Sequence, residues 1–352
     1  MGPSTGFMRV PFVTAALYDA AMSSAMPGPA AAPHSKMRSL PLRVGTRASP
    51  LALWQTRHFL EIIIGFCPVL RGVNAFEERP IRTTGDAIQN RRLSDIGGKG
   101  LFAKEIHEAL VDGRVDFAVH SLKDLETEMP PGIVLACTLR REDARDALIL
   151  GPGCGAPDAG DPYACLPAGA VIGSSSLRRQ SQLLAARPDL QVVTLRGNVQ
   201  TRLAAIHAGE VTASLLALAG LKRLGLQHEA ALALDPEAMV PAAGQGIVAI
   251  TCREGDTELL ELLSGIEDRE ASAVSKAERA LLAALDGSCR TPIGGHARLL
   301  PDGTLHLTGL VARADGSFLL KRTVHGAVAD ARRLGTALGE ELRLDSPADI
   351  FA

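Results

Sequence analysis

From Leu42 onward, short apolar runs alternate with amphipathic helical stretches, and this rhythm constrains the fold more than any other feature of the sequence. Runs such as VDFAVHS and AVIGSSS are typical of buried strands, whereas LALWQTRHFLEIII and LRRQSQLLAAR have the spacing of helices. Ser49 and Pro50 predict a helix start, because serine caps a first turn and proline fits its first position. The repetition of strand, turn and helix predicts an α/β architecture.

The end of the chain has a different pattern. After about residue 265, a helix predicted from Glu270 to Leu285 is followed by a loop and then by two β-type runs. Asp315 and Gly316 lie between these runs and predict a hairpin, and a last helix follows. We therefore expect a separate, small α+β domain here.

Two segments lie outside the rhythm. Residues 1–40 are rich in Ala, Pro, Ser, Gly and Met, and we expect a disordered N-terminal extension, with Met37 as an alternative start. Residues 151–169, GPGCGAPDAGDPYACLPAG, predict a long loop.

Charge and composition exclude several classes of protein. The formal net charge of -2 argues against a nucleic-acid or anionic-membrane partner, and no apolar run is long enough for a spanning helix. The six cysteines show no C-x-x-C spacing, so we expect no metal site and no disulfide framework. This pattern predicts a cytoplasmic protein. Arginines outnumber lysines by 30 to 7, and the arginine fork grips carboxylates in pairs.

Polar side chains follow the predicted strands, and ligands of α/β sheets bind at the carboxyl ends of strands. VHSLKD places Lys123 and Asp124 beyond one strand, as either a surface ion pair or, in a cleft, a candidate acid or electrostatic stabiliser. GSSSLRRQ is either a capped helix with a solvated basic turn or an anion site. The repetition of basic loops predicts a ligand with several negative charges. The candidate anion-binding residues are Arg47, Ser49, Ser121, Ser174, Ser176, Arg178, Arg179, Arg196, Arg202 and Arg223.

Cys289 differs from the other cysteines, which we expect to be small core residues. It lies in the loop DGSCRTPIGG, and the neighbouring Arg290 favours its thiolate. A cysteine-dependent hydrolase is one interpretation, but the sequence shows no partner base.

Taken together, ten segments resemble the porphobilinogen deaminase (hydroxymethylbilane synthase) family. They cover the chain from about residue 42 to its end, in one order. They are TRASPLALWQ, TTGD, IGGKGLFAKE, VHSLKD, REDARDA, GSSSLRRQ, LRGNVQTRL, AGLKRLGL, PAAGQG and GSCRTPIG.

The resemblance implies three domains. The first two are lobes of the type II periplasmic-binding-protein kind with the active site between them, expected at 41–140 with 243–265 and at 141–242. The α+β domain is expected at 268–352, and its Cys289 holds a dipyrromethane cofactor through a thioether. Four porphobilinogen molecules are added with loss of ammonia, and hydroxymethylbilane is released.

The resemblance also implies the roles of residues. Asp124 matches the catalytic aspartate, which stabilises the cation left by ammonia loss and helps to move protons. Lys99 and Phe102 match a flap over the cleft. The candidate arginines and serines, with Lys123, match groups that bind the carboxylates of cofactor and substrate. The family suggests a monomer that needs no metal.

Two residues depart from the family pattern. Glu126 stands where the family often has Pro, and Asp95 stands where some members have Lys. These changes affect the expected loop shape and flap charge. The rival hypothesis from another class is a non-enzymatic anion-binding protein with the same two-lobed fold, since folds host unrelated functions.

Overall fold

The structure is a computed structural model that describes residues 40–88, 100–285 and 291–351. Residues 1–39 of the expected extension lie outside the described residues, and so do Lys99, Asp95 and Cys289. The strands are β1 (Leu42–Arg47), β2 (Phe76–Ile81), β3 (Phe117–Ser121), β4 (Ile133–Thr138), β5 (Asp146–Leu150), β6 (Val171–Gly173), β7 (Gln191–Val193), β8 (Ala213–Ala217), β9 (Leu232–Ala233), β10 (Val248–Arg253), β11 (Ile293–Leu299), β12 (Leu305–Ala312) and β13 (Leu319–Gly326). The helices are α1 (Pro50–Phe66), α2 (Thr84–Ala87), α3 (Lys104–Val111), α4 (Leu177–Ala186), α5 (Val199–His207), α6 (Leu218–Arg223), α7 (Thr257–Ser264), α8 (Arg269–Ala284) and α9 (Ala331–Leu344).

Two five-stranded sheets form the body of the molecule, with strand orders β2-β1-β3-β10-β4 and β7-β6-β8-β5-β9. In each sheet three strands run parallel, and a strand from another part of the chain, β10 or β5, is inserted antiparallel beside them. The two sheets therefore share one topology. The expected α/β class, with two lobes, is confirmed.

Local sequence explains where the first elements begin. Ser49 caps α1 by accepting a hydrogen bond from the Ala52 amide, as its sequence predicts. The segment GLFAKEIHEALVDG, residues 100–113, has the spacing of a helix, but Gly100 has a φ of +73° and α3 begins only at Lys104. A φ in the left-handed region does not fit a right-handed helix.

The third part is a three-stranded antiparallel sheet, β11-β12-β13, with α8 and α9 packed against it. Asp315 and Gly316 form the predicted turn between β12 and β13, and Gly316 has a φ of +76°. The separate α+β domain is confirmed. The exact domain boundaries given above stay a prediction.

The segment that precedes β10 connects all three parts. Gly244 and Gly246 have φ values of +75° and +89°, so the backbone makes close turns that other residues strain to adopt. Glu278 of α8 is fully buried and accepts hydrogen bonds from the Gly244 amide and from the Arg141 guanidinium. The third domain is thereby fixed to the segments that cross between the lobes.

The cysteines within the described residues are free thiols. Cys67, Cys137 and Cys252 are buried, as expected for core residues. Cys154 and Cys165, in the loop 151–169, are only partly buried and pack against the core of the second lobe, so they lie at the edge of a core rather than inside it.

Candidate active site

The predicted polar loops meet at the edges of the two sheets that face each other. Arg47 ends β1, Asp124 ends a 3-10 turn after β3, and Ser174 follows β6. Arg196 follows β7 and donates a hydrogen bond of 2.9 Å to the carbonyl of Gly85 in the first lobe. A cleft between the lobes therefore gathers residues that are far apart in the sequence.

Arg47 joins two carboxylates at this edge. Its Nη1 lies 3.4 Å from Oδ2 of Asp124, and its Nε and Nη2 contact Asp86 at 3.2 and 2.5 Å. Burial acts to lower the pKa of Arg47, but the hydrogen bond to Asp86 and the charge of Asp124 outweigh it and raise the pKa. Burial acts to raise the pKa of Asp86, and the contacts of Arg47 overcome it, so this pKa is lowered.

Phe102, a predicted flap residue, packs against the guanidinium of Arg47. Its ring centroid lies 4.2 Å from the guanidinium carbon of Arg47, a cation–π distance. A Cβ at Gly85 would overlap the same ring. The small residue at position 85 therefore allows Phe102 to approach the cleft.

Lys123 and Asp124 do not form the exposed ion pair that was one interpretation of VHSLKD. Asp124 pairs with Arg47, whereas the Nζ of Lys123 donates to Oε1 of Gln245 at 3.2 Å. The Lys123 side chain as a whole is exposed, and its ammonium meets the buried Gln245 side chain. There, burial and the charge of Arg179 lower its pKa to about 8.

Arg178 and Arg179 are bound to a carboxylate of the chain itself. Both are 6% exposed and both contact Asp146, which is fully buried, at 2.8 and 2.7 Å. Burial acts to raise the pKa of Asp146, but the charges of the two arginines lower it. Their expected binding of ligand carboxylates stays a prediction. Arg178 in addition donates to the carbonyl of Val240 at 2.7 Å.

The serines lie beside these basic groups. Ser176 caps α4 by accepting from the amide of Arg179, and Ser174 accepts from the amide of Ser176. Ser121 exchanges hydrogen bonds with the side chain of Gln55. Their hydroxyls therefore help to shape the loops, and their contact with a ligand stays a prediction.

Arg202 contributes positive charge that the described residues leave without a paired carboxylate. Its Nε donates to the carbonyl of Gly197 at 2.9 Å. Burial lowers its pKa to about 10, and the neighbouring charges of Arg179 and Arg196 act in the same direction. Arg47 adds to this repulsion, and Asp124 opposes it. The site therefore has an excess of cations, which fits a ligand with several carboxylates.

Arg223 is the last residue of α6 in the second lobe. Its Nη2 donates to the carbonyl of Gly246 at 2.6 Å, and burial lowers its pKa to about 10. Its guanidinium carbon lies 6.0 Å from the ring centroid of Trp54, the single tryptophan of the chain. The position of Arg223 thus links the second lobe to α1 of the first.

The core of the third domain extends beneath Asp124. Leu122 and Leu125, on either side of the 3-10 turn, belong to one hydrophobic cluster with Leu281 and Leu285 of the third domain. Leu285 directly precedes residues 286–290, where Cys289 lies outside the described residues. Leu285 is therefore part of the same core as the two leucines that flank Asp124.

Three residues that bind the basic side chains of the cleft were not singled out from the sequence. Asp86 holds Arg47, Asp146 holds Arg178 and Arg179, and Gln245 holds Lys123. They occur in the segments TTGD, REDARDA and PAAGQG, so the segments carried the signal. The partner of each side chain did not follow from them.

Glu126, the departure from the family pattern, lies against α3. Its Oε2 is 3.5 Å from Nδ1 of His107, a histidine only 3% exposed, and burial lowers the pKa of His107 to about 4. Arg279 of α8 donates to the carbonyls of Glu126 and Thr127. The loop after Asp124 is thus fixed by contacts on both sides.

Within the part of the chain that the structure describes, three or more His, Cys, Asp or Glu side chains are nowhere grouped so as to hold a metal ion. The same residues include no helix that is long and apolar enough to cross a membrane.

Among solved structures, the chain is similar to the BvgS periplasmic VFT2 domain of Bordetella pertussis, with a TM-score of 0.37 and 18% identity over 64% of this chain and 86% of that one. It is also similar to a substrate binding protein of an amino acid ABC transporter, with a TM-score of 0.36 and 14% identity over 64% of this chain and 90% of that one.

Sequence relatives are much more similar. Porphobilinogen deaminase of Paracoccus denitrificans (strain Pd 1222) is 46% identical over 88% of this chain and 96% of its own length. That of Nitrobacter winogradskyi is 48% identical over 85% of this chain and 92% of its own length. The family model described as "Porphobilinogen deaminase, dipyromethane cofactor binding domain" matches residues 42–261, and the model of the porphobilinogen deaminase C-terminal domain matches residues 273–343. The chain therefore belongs to the porphobilinogen deaminase family.

Proposed function

We propose that this chain is a transferase, a hydroxymethylbilane synthase. It condenses four porphobilinogen molecules head to tail on a dipyrromethane cofactor attached to Cys289, with loss of one ammonia each time. Hydroxymethylbilane is then released by hydrolysis. The observation that carries this proposal is a single cleft that places Asp124 beside Arg47 while Arg202 adds cationic charge.

The donor set of the cleft fits the proposed cofactor. Each pyrrole ring carries an acetate and a propionate, so a dipyrromethane brings four carboxylates. Arg202 has no paired carboxylate among the described residues, and the charges of Arg179 and Arg196 repel it. Carboxylates placed here relieve that repulsion and form charge-assisted hydrogen bonds. The thiol of Cys289 would supply the covalent attachment.

When bound, the cofactor supplies the free pyrrole carbon to which the first porphobilinogen is joined. Asp124 is proposed to face the reacting ring. Loss of ammonia leaves a cation on the incoming pyrrole, and a fixed carboxylate stabilises developing positive charge better in a site with little water than in water. Asp124 would also move a proton at the pyrrole nitrogen and at the coupling carbon.

Arg47 has two roles in this proposal. Its guanidinium fixes Asp124 in one position, and its remaining donor capacity is directed at a carboxylate of the substrate. Asp86 holds the opposite side of the same guanidinium, so the fork keeps one orientation. This division of one side chain between two carboxylates is consistent with a binding site that must also orient its catalytic group.

Lys123, Arg196, Arg202 and Arg223 are proposed to bind successive carboxylates as the chain of pyrroles grows. Lys123 lies in the 3-10 turn of the first lobe, and the three arginines lie after β7, on α5 and at the end of α6 in the second lobe, so a growing polyanion meets donors from both lobes. Arg178 and Arg179 form ion pairs with Asp146, and these pairs fix α4. The serines are proposed as hydroxyl donors to the same carboxylates.

A non-enzymatic anion-binding protein is not favoured. That class requires only the two lobes, whereas this chain matches the C-terminal domain model of the deaminase family over residues 273–343. The fold alone cannot distinguish the two, because a fold hosts unrelated functions.

Intact-protein mass spectrometry of the wild type and of Cys289→Ser tests the proposal. We expect the wild type to exceed its sequence mass by two linked pyrrole units and to gain further single units with porphobilinogen. Cys289→Ser is expected to show neither gain. A wild type that stays unmodified and binds no porphobilinogen covalently would contradict the proposed function.

We further propose that the enzyme acts as a monomer in the cytoplasm. Sedimentation of the purified chain at micromolar concentration and fractionation of the source cells test the two statements separately. A concentration-independent dimer, or recovery outside the cytoplasmic fraction, would contradict them.

A further inference from the structure

Gln245 lies between the two lobes and forms hydrogen bonds with Lys123 of the first and Asp146 of the second. It is 1% exposed, and its carboxamide contacts both lobes. Oε1 accepts from the ammonium of Lys123 at 3.2 Å, and Nε2 donates to Oδ1 of Asp146 at 2.9 Å and to the carbonyl of Ala144 at 2.7 Å. Both donors and the acceptor of the amide are therefore used.

The backbone of the same residue is equally fixed. The Gln245 amide donates to the carbonyl of Ala242, and its carbonyl accepts from Nε of Arg141 at 2.8 Å. The carboxamide has one productive orientation, because a flipped amide would present its NH2 group to an ammonium. A side chain without freedom of position or rotation transmits the position of one partner to the other.

We propose that Gln245 is a positioning residue that holds the ammonium of Lys123 in the cleft and couples it to the pair formed by Asp146 and Arg179. This inference rests on the proposed function, because it assigns to Lys123 a carboxylate of the growing pyrrole chain. Gln245 itself contacts no ligand in this arrangement. It acts by keeping a cation beside Asp124.

The charges around Lys123 explain why its ammonium form benefits from a neutral acceptor. Burial and the charges of Arg179 and Arg178 lower the pKa of Lys123 to about 8, while Asp124 and Asp146 act to raise it. The Gln245 oxygen favours the ammonium form, because a hydrogen bond to the charged form stabilises it. Removing this acceptor is therefore expected to lower the pKa of Lys123 below 8.

The test uses Gln245→Met, which keeps the length of the side chain without its hydrogen bonds, and Gln245→Glu, which keeps an oxygen for Lys123. Gln227→Met is the matched control, because Gln227 is an exposed glutamine of the second lobe. Each holoenzyme is assayed with porphobilinogen across pH 6–10. We expect Gln245→Met to lose about tenfold in kcat/KM at pH 7. We also expect the alkaline limb of its pH profile, the fall of kcat/KM at high pH, to begin at a lower pH than in the wild type.

Gln245→Glu keeps an acceptor for Lys123 and is expected to return the alkaline limb of the pH profile to the wild-type pH or above it. Its second oxygen replaces the donor to Asp146, so its melting temperature is expected to fall. Lys123→Met is expected to abolish the limb, and adding Gln245→Met to it is expected to change kcat/KM little further. A Gln245→Met enzyme with an unchanged limb, even if it melts at a lower temperature, would overturn the inference and leave Gln245 a structural residue only.

A second measurement separates this inference from the proposed function. Reductive 13C-methylation keeps the charge of lysine and allows each of the 7 lysines to be titrated by NMR without turnover. Lys123→Met identifies the signal. We expect Gln245→Met to move that signal to a lower pKa; an unmoved titration overturns the inference whether or not the wild type consumes porphobilinogen.

Discussion

Nη1 of Arg47 lies 3.4 Å from Oδ2 of Asp124, across 77 residues of sequence. The contact joins the end of β1 to the 3-10 turn after β3, and Asp86 holds the other side of the guanidinium. A carboxylate held in this way needs little reorganisation when positive charge develops nearby, and preorganisation of this kind is a large source of catalytic rate.

Removal of the Asp124 carboxylate tests this relationship. We expect Asp124→Ala and Asp124→Asn to fold and to carry the cofactor mass, yet to lose about 10²-fold or more in kcat. The measurement is the rate of pyrrole addition per holoenzyme, with the melting temperature recorded beside it. Asp112→Ala, at an exposed position after α3, is the control. Retained turnover in either Asp124 variant would remove the residue from the mechanism.

The excess of cations around Arg202 predicts two opposite effects of Arg202→Leu. The KM for porphobilinogen is expected to rise about tenfold or more, because a ligand carboxylate loses a charged donor. The ligand-free protein is expected to gain stability, since the repulsion from Arg179 and Arg196 is relieved. Steady-state kinetics and urea unfolding measure the two effects.

The control for this prediction is Arg332→Leu, an exposed arginine of α9. It is expected to change neither quantity by a comparable amount. An Arg202→Leu variant that loses stability and keeps its KM would show that Arg202 supports the fold rather than a ligand.

Asp146 carries a stability prediction. Asp146→Asn leaves Arg178 and Arg179 buried without their carboxylate, so the free energy of unfolding is expected to fall by about 3–5 kcal/mol at pH 7. Urea denaturation measures this change, and Asp158→Asn in the exposed part of the loop 151–169 is the control. A loss no larger than that of the control would contradict the anchoring role of Asp146.

The same residue predicts a dependence on pH. The folded-state pKa of Asp146 is lowered, so its contribution is fully present above the unfolded pKa of about 3.9 and is lost as pH falls below it. The stability difference between the wild type and Asp146→Asn is therefore expected to shrink below pH 4. A difference that is constant from pH 7 to pH 3 would contradict this assignment.

The lowered pKa of Lys123 predicts a second rise of stability with pH, in the alkaline range. Its pKa is lowered to about 8, so the unfolded chain, with a lysine pKa near 10.4, binds more protons between these values. Stability is therefore expected to rise with pH between about 8 and 10.4 in the wild type relative to Lys123→Met. Unfolding free energies of the two proteins across this range give the comparison, and parallel curves would contradict the lowered pKa of Lys123.

Much of the fold followed from local patterns. The cap at Ser49, the strand before Asp124 and the hairpin at Asp315 and Gly316 lie where the sequence predicted them. These features depend on neighbours within a few residues, and periodicity reports such neighbours directly. The order of ten segments likewise predicted the family that the relatives confirm.

The sequence by itself thus determined the class of fold, the family and the set of polar loops that meet in one cleft. Only the tertiary structure decided which charge meets which. It paired Arg179 with Asp146, 33 residues away, and it placed Gln245 between Asp146 and Lys123, 122 residues from the lysine. Periodicity shows which face of an element is buried, whereas the partner of a buried charge depends on how distant elements pack, because only a partner within a few ångströms offsets the cost of burial.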